Sequence, residues 1–173
     1  MQRSAFLSFP NPVNEKAARV VAGGVASLAI VVLATGWYWL IALMATGFLA
    51  RVLSGPKLSP LGQLATRVVA PRLGPAKLVP GPPKRFAQSI GLMFTATAAV
   101  AALAFGAGGL ATVLISVLLV FALLESVVGF CAGCFAFGLL MRAGVVPEAT
   151  CEACNDISLR FRATVGAGAT TSG

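Results

Sequence analysis

The chain contains no histidine, a single tyrosine and only five acidic residues in a length of 173. Without histidine, neither a Ser–His–Asp triad nor a His-ligated metal centre can be assembled. Charged residues make up 10% of the sequence, against about 25% in an average soluble domain, which excludes an ordinary water-soluble globular fold. Hydrophobic residues take up 58% instead, and the mean hydropathy is +0.91. They fall in long runs, the arrangement of a chain built for lipid. Thirteen Lys and Arg leave a net charge of +8. Such a balance suits nucleic acid or anionic lipid. In a chain this apolar the expected partner is the lipid bilayer, and no nucleic acid.

Residues 1–16 lack the pattern of a cleavable signal. Pro10, Asn11, Pro12, Asn14, Glu15 and Lys16 stand directly before the first apolar run, so that run is expected to remain as an anchor. A bilayer core takes about 20 apolar helical residues per crossing. The stretch 17–53 is too long for one span and suits two, broken at Thr35-Gly36 and followed by Trp37, Tyr38 and Trp39. These rings favour the headgroup level, so the first hairpin turns at one interface while Arg19 and Arg51 are expected to snorkel to the other. A second apolar block, 86–141, breaks at Gly106-Ala107-Gly108-Gly109. Its second half is longer than one span needs. Either that helix is strongly tilted, or it leaves the membrane near Phe130, where Gly129 and Gly133 permit a break.

Three basic residues precede or begin span one (Arg3, Lys16, Arg19), seven run from the end of span two to the start of span three (Arg51 to Arg85) and three follow span four, so none of the thirteen lies in the two short turns. The positive-inside rule makes that side the cytoplasm. The expected fold is therefore all-α: an integral membrane protein of the cytoplasmic (inner) membrane, with four transmembrane helices in two hairpins and both termini cytoplasmic. The loop 54–85 is rich in proline and glycine. It carries one helix signal, Ser59 as cap and Pro60 at the first position, with Leu61, Leu64, Ala65 and Val68 on one face. Beside Arg67 and Arg72, this segment is expected to lie on the anionic leaflet. The small residues Gly23, Gly24, Ala26 and Ser27, and Ala98, Ala99, Ala101 and Ala102, suit close helix packing.

The four cysteines form two pairs, Cys131-Ala132-Gly133-Cys134 and Cys151-Glu152-Ala153-Cys154, in the pattern C-x2-C-x16-C-x2-C. On a reducing face structural disulfides are not expected. The spacing matches four-thiolate sites, so zinc or an iron–sulfur cluster held by Cys131, Cys134, Cys151 and Cys154 is one reading. Thiol redox exchange and persulfide transfer are the others. A reactive CxxC sits at a helix N-terminus. Late in a continuous apolar helix Cys131 would be unactivated, and a break at Gly129 would reverse that. Glu125, inside the fourth span, is costly there and marks either a proton or solute path or a cross-bundle bond to Ser126, Thr95 or Thr97. In a straight helix it points about 120° away from Cys131.

Three stretches, Pro10-Asn11-Pro12-Val13-Asn14, Gly81-Pro82-Pro83-Lys84-Arg85-Phe86-Ala87-Gln88 and the C-x-G-C of Cys131–Cys134, carry a resemblance. The chain resembles an uncharacterised bacterial family, of actinobacterial type, of small four-helix membrane proteins grouped as a domain of unknown function. The resemblance implies sulfur or thiol chemistry, with a thioredoxin-like protein or a rhodanese-type sulfurtransferase as soluble partner, and it implies no catalytic residues. The leading expectation is thiol redox or sulfur transfer, with Cys131 and Cys134 as the membrane-side pair and Cys151 and Cys154 as the exchange pair. The alternatives are a non-enzymatic scaffold stabilised by a four-cysteine metal site and a transporter of a small sulfur species.

Overall fold

The computed structural model describes residues 9–146. In chain order they form strand β1 (Val13–Asn14), helices α1 (Glu15–Thr35) and α2 (Trp39–Ser54), the short turns α3 (Pro60–Leu64) and α4 (Ala70–Arg72), strand β2 (Leu78–Val79), and helices α5 (Gly81–Phe105), α6 (Gly108–Leu123) and α7 (Ala132–Arg142). Four helical stretches, Glu15–Thr35, Trp39–Arg72, Gly81–Phe105 and Gly108–Val128, are long and apolar enough to cross a bilayer. The all-α, four-span architecture is thus present. Helices sequential in the chain do not all pair in space. The principal contacts join α2 to α5, α5 to α6 and α6 to α1, while α1 and α2 touch only sparingly.

The interior is filled by small and β-branched residues. Ala29, Ile41, Ala98, Ala111 and Ile115 are fully buried, and Gly91 lets the Phe48 ring approach so closely that a Cβ would lie 2.3 Å from Cε1. At one end the hairpins turn at Gly36 and Gly106, both left-handed. Trp37 and Trp39 project outward there, and Tyr38 lies over Gly108 with its hydroxyl 3.4 Å from Thr112 Oγ1, tying the two turns together.

The basic residues gather at the other end. Two short strands pair antiparallel, Val13 with Val79 and Asn14 with Leu78. The Glu15 amide donates to the Lys77 carbonyl (2.8 Å), and Glu15 forms an ion pair with Lys77 (2.7 Å). Asn11 Oδ1 accepts from the Gly81 amide (3.0 Å), satisfying a donor that the start of α5 leaves open. The two segments before spans one and three thus form one clasp. α5 begins at Gly81, five residues before the Phe86 that hydropathy indicates, because Pro82 and Pro83 occupy first-turn positions that need no amide. Lys84 and Arg85 therefore belong to the helix and not to the loop.

Ser59 caps α3 as expected, accepting from the Gly62 amide (3.3 Å) with Pro60 next to it. The surroundings differ from expectation. Leu61 packs on Gly24 of α1, and Ala65 is fully buried, whereas Leu64 and Val68 are exposed. The wider turn over Ala65–Val69 rotates the intended single face apart. Lys16 Nζ donates to the Leu73 carbonyl (2.6 Å). The segment packs along α1, with Leu64, Arg67 and Val68 facing outward.

The clasp yields a test. A Cβ at Gly81 would lie 2.6 Å from the Pro10 carbonyl oxygen. Since backbone must move to admit it, Gly81→Ala should cost about 1–3 kcal/mol, read as a lower thermal midpoint. The same change at Gly109, which has nothing within 4 Å, should leave the midpoint unchanged or raised.

Candidate dithiol site

α6 does not continue to Met141 as one tilted helix. It widens into a π-type turn over Leu124–Val128 and stops at Gly129, whose φ of 80° is left-handed. Cys131 is extended and is the N-cap of α7, its Sγ accepting from the Cys134 amide (3.4 Å). The first CxxC thus stands at a helix start. Gly133 holds α7 against α5, where a Cβ would meet Ala87 Cα at 2.6 Å. The Phe86 and Phe137 rings pack 5.6 Å apart beside it.

The break also settles Glu125. Its partner is none of Ser126, Thr95 and Thr97: Thr95 donates to the Gly91 carbonyl (2.8 Å), while Glu125 Oε1 pairs with Lys84 Nζ at 2.6 Å. Both side chains are shielded, at 16% and 8% exposure. In so dry a place each charge needs the other, because a lone one would carry an uncompensated desolvation cost. Arg19 also finds backbone partners at this end. Nε and Nη2 donate to the Ser126 carbonyl (3.2 and 3.1 Å) and Nη2 to that of Val127 (2.7 Å), capping the last turn of the fourth span. Sequence reasoning missed Lys84 and Arg19 as site residues. The Gly81-Pro82-Pro83 helix start could have placed Lys84 one turn inside α5, but nothing local ties Arg19 to carbonyls more than a hundred residues away.

Two cavities meet at Cys131. An inner one of about 210 Å³ is lined by apolar residues of all four spans, with Gln88, Glu125 and Cys131 as its polar or thiol-bearing members. An outer one of about 630 Å³ is lined by Glu15, Lys77, Lys84, Arg142, both cysteines and several aromatic rings. Hydrogen bonding from the Cys134 thiol lowers the Cys131 pKa below the ordinary thiol value; burial and Glu125 oppose it, and Lys84 and the Cys134 amide assist. Cys134 is held well above that value by the same thiol–thiol bond, by burial and by the charge on Cys131. The pair is therefore asymmetric: Cys131 is the thiol that ionises more readily, and Cys134 keeps its proton.

Cys151 and Cys154 lie outside the described residues. So does the four-thiolate zinc or iron–sulfur arrangement that requires them. Among the described residues no group of three or more Cys, Asp or Glu side chains is placed to hold a metal.

The asymmetry sets a pH dependence. A lowered Cys131 pKa places the half-maximal rate of its alkylation at a lower pH than that of an ordinary free thiol, with Cys134 unreactive there. Lys84→Gln removes a charge that favours the thiolate and should raise the midpoint. Glu125→Gln removes one that disfavours it and should lower the midpoint. Mass-spectrometric quantification of iodoacetamide labelling across pH measures both.

No curated protein and no solved structure matches this chain. A family match does exist, over residues 13–142, from β1 to the end of α7 and including the β1–β2 pairing, the Lys84–Glu125 pair and the first CxxC. On that match the chain belongs to the family described as Domain of unknown function (DUF4395).

Proposed function

We propose that this protein is a membrane-embedded thiol-exchange centre that acts on S–S bonds, disulfide or persulfide, carried by a soluble protein. The observation that carries this reading is the place of Cys131: at the start of α7, bonded by Cys134, on the wall of an open cavity with basic and aromatic walls. A helix start and a neighbouring cation are the settings that activate a CxxC thiol.

In the exchange, the Cys131 thiolate attacks one sulfur of the partner's disulfide. A Cys131–partner disulfide forms, and the partner's other sulfur leaves as a thiolate. Cys134 then loses its proton and attacks Cys131 Sγ. The Cys131–Cys134 disulfide closes, and the partner's second sulfur leaves. Two electrons have passed from this chain to the partner. On a persulfide, Cys131 takes the outer sulfur as its own persulfide and the partner's thiolate departs, with no net oxidation. Cys151 and Cys154 are the exchange pair: they return Cys131 and Cys134 to the dithiol form by taking over the S–S bond as their own disulfide, and a soluble dithiol then reduces that disulfide, supplying the two electrons passed to the partner. The partner is of thioredoxin-like or rhodanese type. By the charge rule the site faces the cytoplasm from the inner membrane.

Trapping tests this. Cys134→Ser removes the resolving thiol, so a mixed disulfide through Cys131 should accumulate in cells expressing the full chain and disappear on reduction. Cys131→Ser should give none. Equal trapping by both variants, or none by either while both fold, would refute the assignment of roles.

A further inference from the structure

Arg51 was expected to reach the interface and does not. Its side chain is 5% exposed. Nε donates to Gln88 Oε1 (2.8 Å), Nη1 donates to Ser59 Oγ (3.2 Å), and the guanidinium lies 4.4 Å from the centre of the Phe48 ring. All three partners are neutral. Among the described residues, the ion pairs are Lys77–Glu15 and Lys84–Glu125, and neither involves Arg51.

The depth of the group makes this costly. α2 has 16 residues, about 24 Å at 1.5 Å per residue, and Arg51 lies about 18 Å from Trp39 at the aromatic end. A hydrocarbon core is about 30 Å thick. A guanidinium cannot discard its proton as a lysine can. Its charge needs a counter-charge in so dry a place, and an arginine fork is shaped for two oxygens of a carboxylate or phosphate.

Room for such a group exists. A cavity of about 460 Å³ reaches Arg51, Ser59 and Thr46, and the rest of its wall is mostly apolar, including Leu28, Leu43, Met44 and Leu58, so an oxyanion in it would sit against Arg51 and Ser59 with hydrocarbon around it. Ser59 Oγ accepts from both Arg51 and the Gly62 amide, so both lone pairs are used and its hydrogen remains to be donated. We propose that this cavity is a binding site for a phosphate-like oxyanion, held by two guanidinium N–H groups and the Ser59 hydroxyl, with Gln88 fixing the fork. The oxygens come from a free anion or from the headgroup of an anionic lipid. The site is separate from the dithiol centre.

The test is equilibrium dialysis of the delipidated full chain, in neutral detergent, against radiolabelled inorganic phosphate. Wild type should bind about one phosphate per chain saturably, and chloride at matched ionic strength should not compete. Gln88→Glu supplies the missing carboxylate beside Arg51. It should weaken phosphate binding at least tenfold while raising the anion-free thermal midpoint, which shows that the variant folds. Displacement by stoichiometric phosphatidylglycerol assigns the lipid source, and its failure assigns the soluble one. Absence of saturable binding to wild type, or unchanged binding to folded Gln88→Glu, overturns the proposal.

Discussion

Lipid offers no hydrogen bonds, so every helix end near it must find partners for the amides and carbonyls it leaves open. That requirement organises the basic end of this molecule. Asn11 serves α5, Ser59 serves α3, Lys16 takes the Leu73 carbonyl and Arg19 takes those of Ser126 and Val127. Cys131 belongs to the same set, since its sulfur caps α7. The group proposed to perform chemistry is thus also a structural cap. Chemistry and helix termination coincide at one atom.

The Lys84–Glu125 pair has a similar double character. It removes two charges from a dry interior, yet it also brings both signs near two thiols. Lys84 favours the Cys131 thiolate and Glu125 disfavours it, so a dipole rather than a net charge acts on the site. Any event that separated the pair would shift the thiol more than removing both members together. Gln88 stands near this group on the inner cavity and at the same time accepts from Arg51.

Much of the architecture was legible in the sequence because lipid makes strong demands on composition. The four apolar runs, the turns at Gly36 and Gly106, the Ser59–Pro60 helix start and the break before Cys131 all rest on local signals. The side-chain partners of the charged residues were not legible. Arg19 and Arg51 stand at the ends of apolar runs, where snorkelling is the default, and only the packing of distant segments gives them carbonyl, amide and hydroxyl partners inside. The relation of Glu125 to Cys131 depended on whether the helix ran straight or broke at Gly129, and a wide turn and one left-handed glycine change the direction of the chain within six residues. The clasp between β1 and β2 joins two stretches over sixty residues apart, and no periodicity reports such a contact.

The brevity of α2 has a consequence for the surrounding membrane. Its 16 residues rise about 24 Å, less than the ~30 Å of a hydrocarbon core, and that stretch reaches spanning length only by continuing through the turns as far as Arg72. On this flank a bilayer meets a jointed wall of turns where α5 offers one continuous rod.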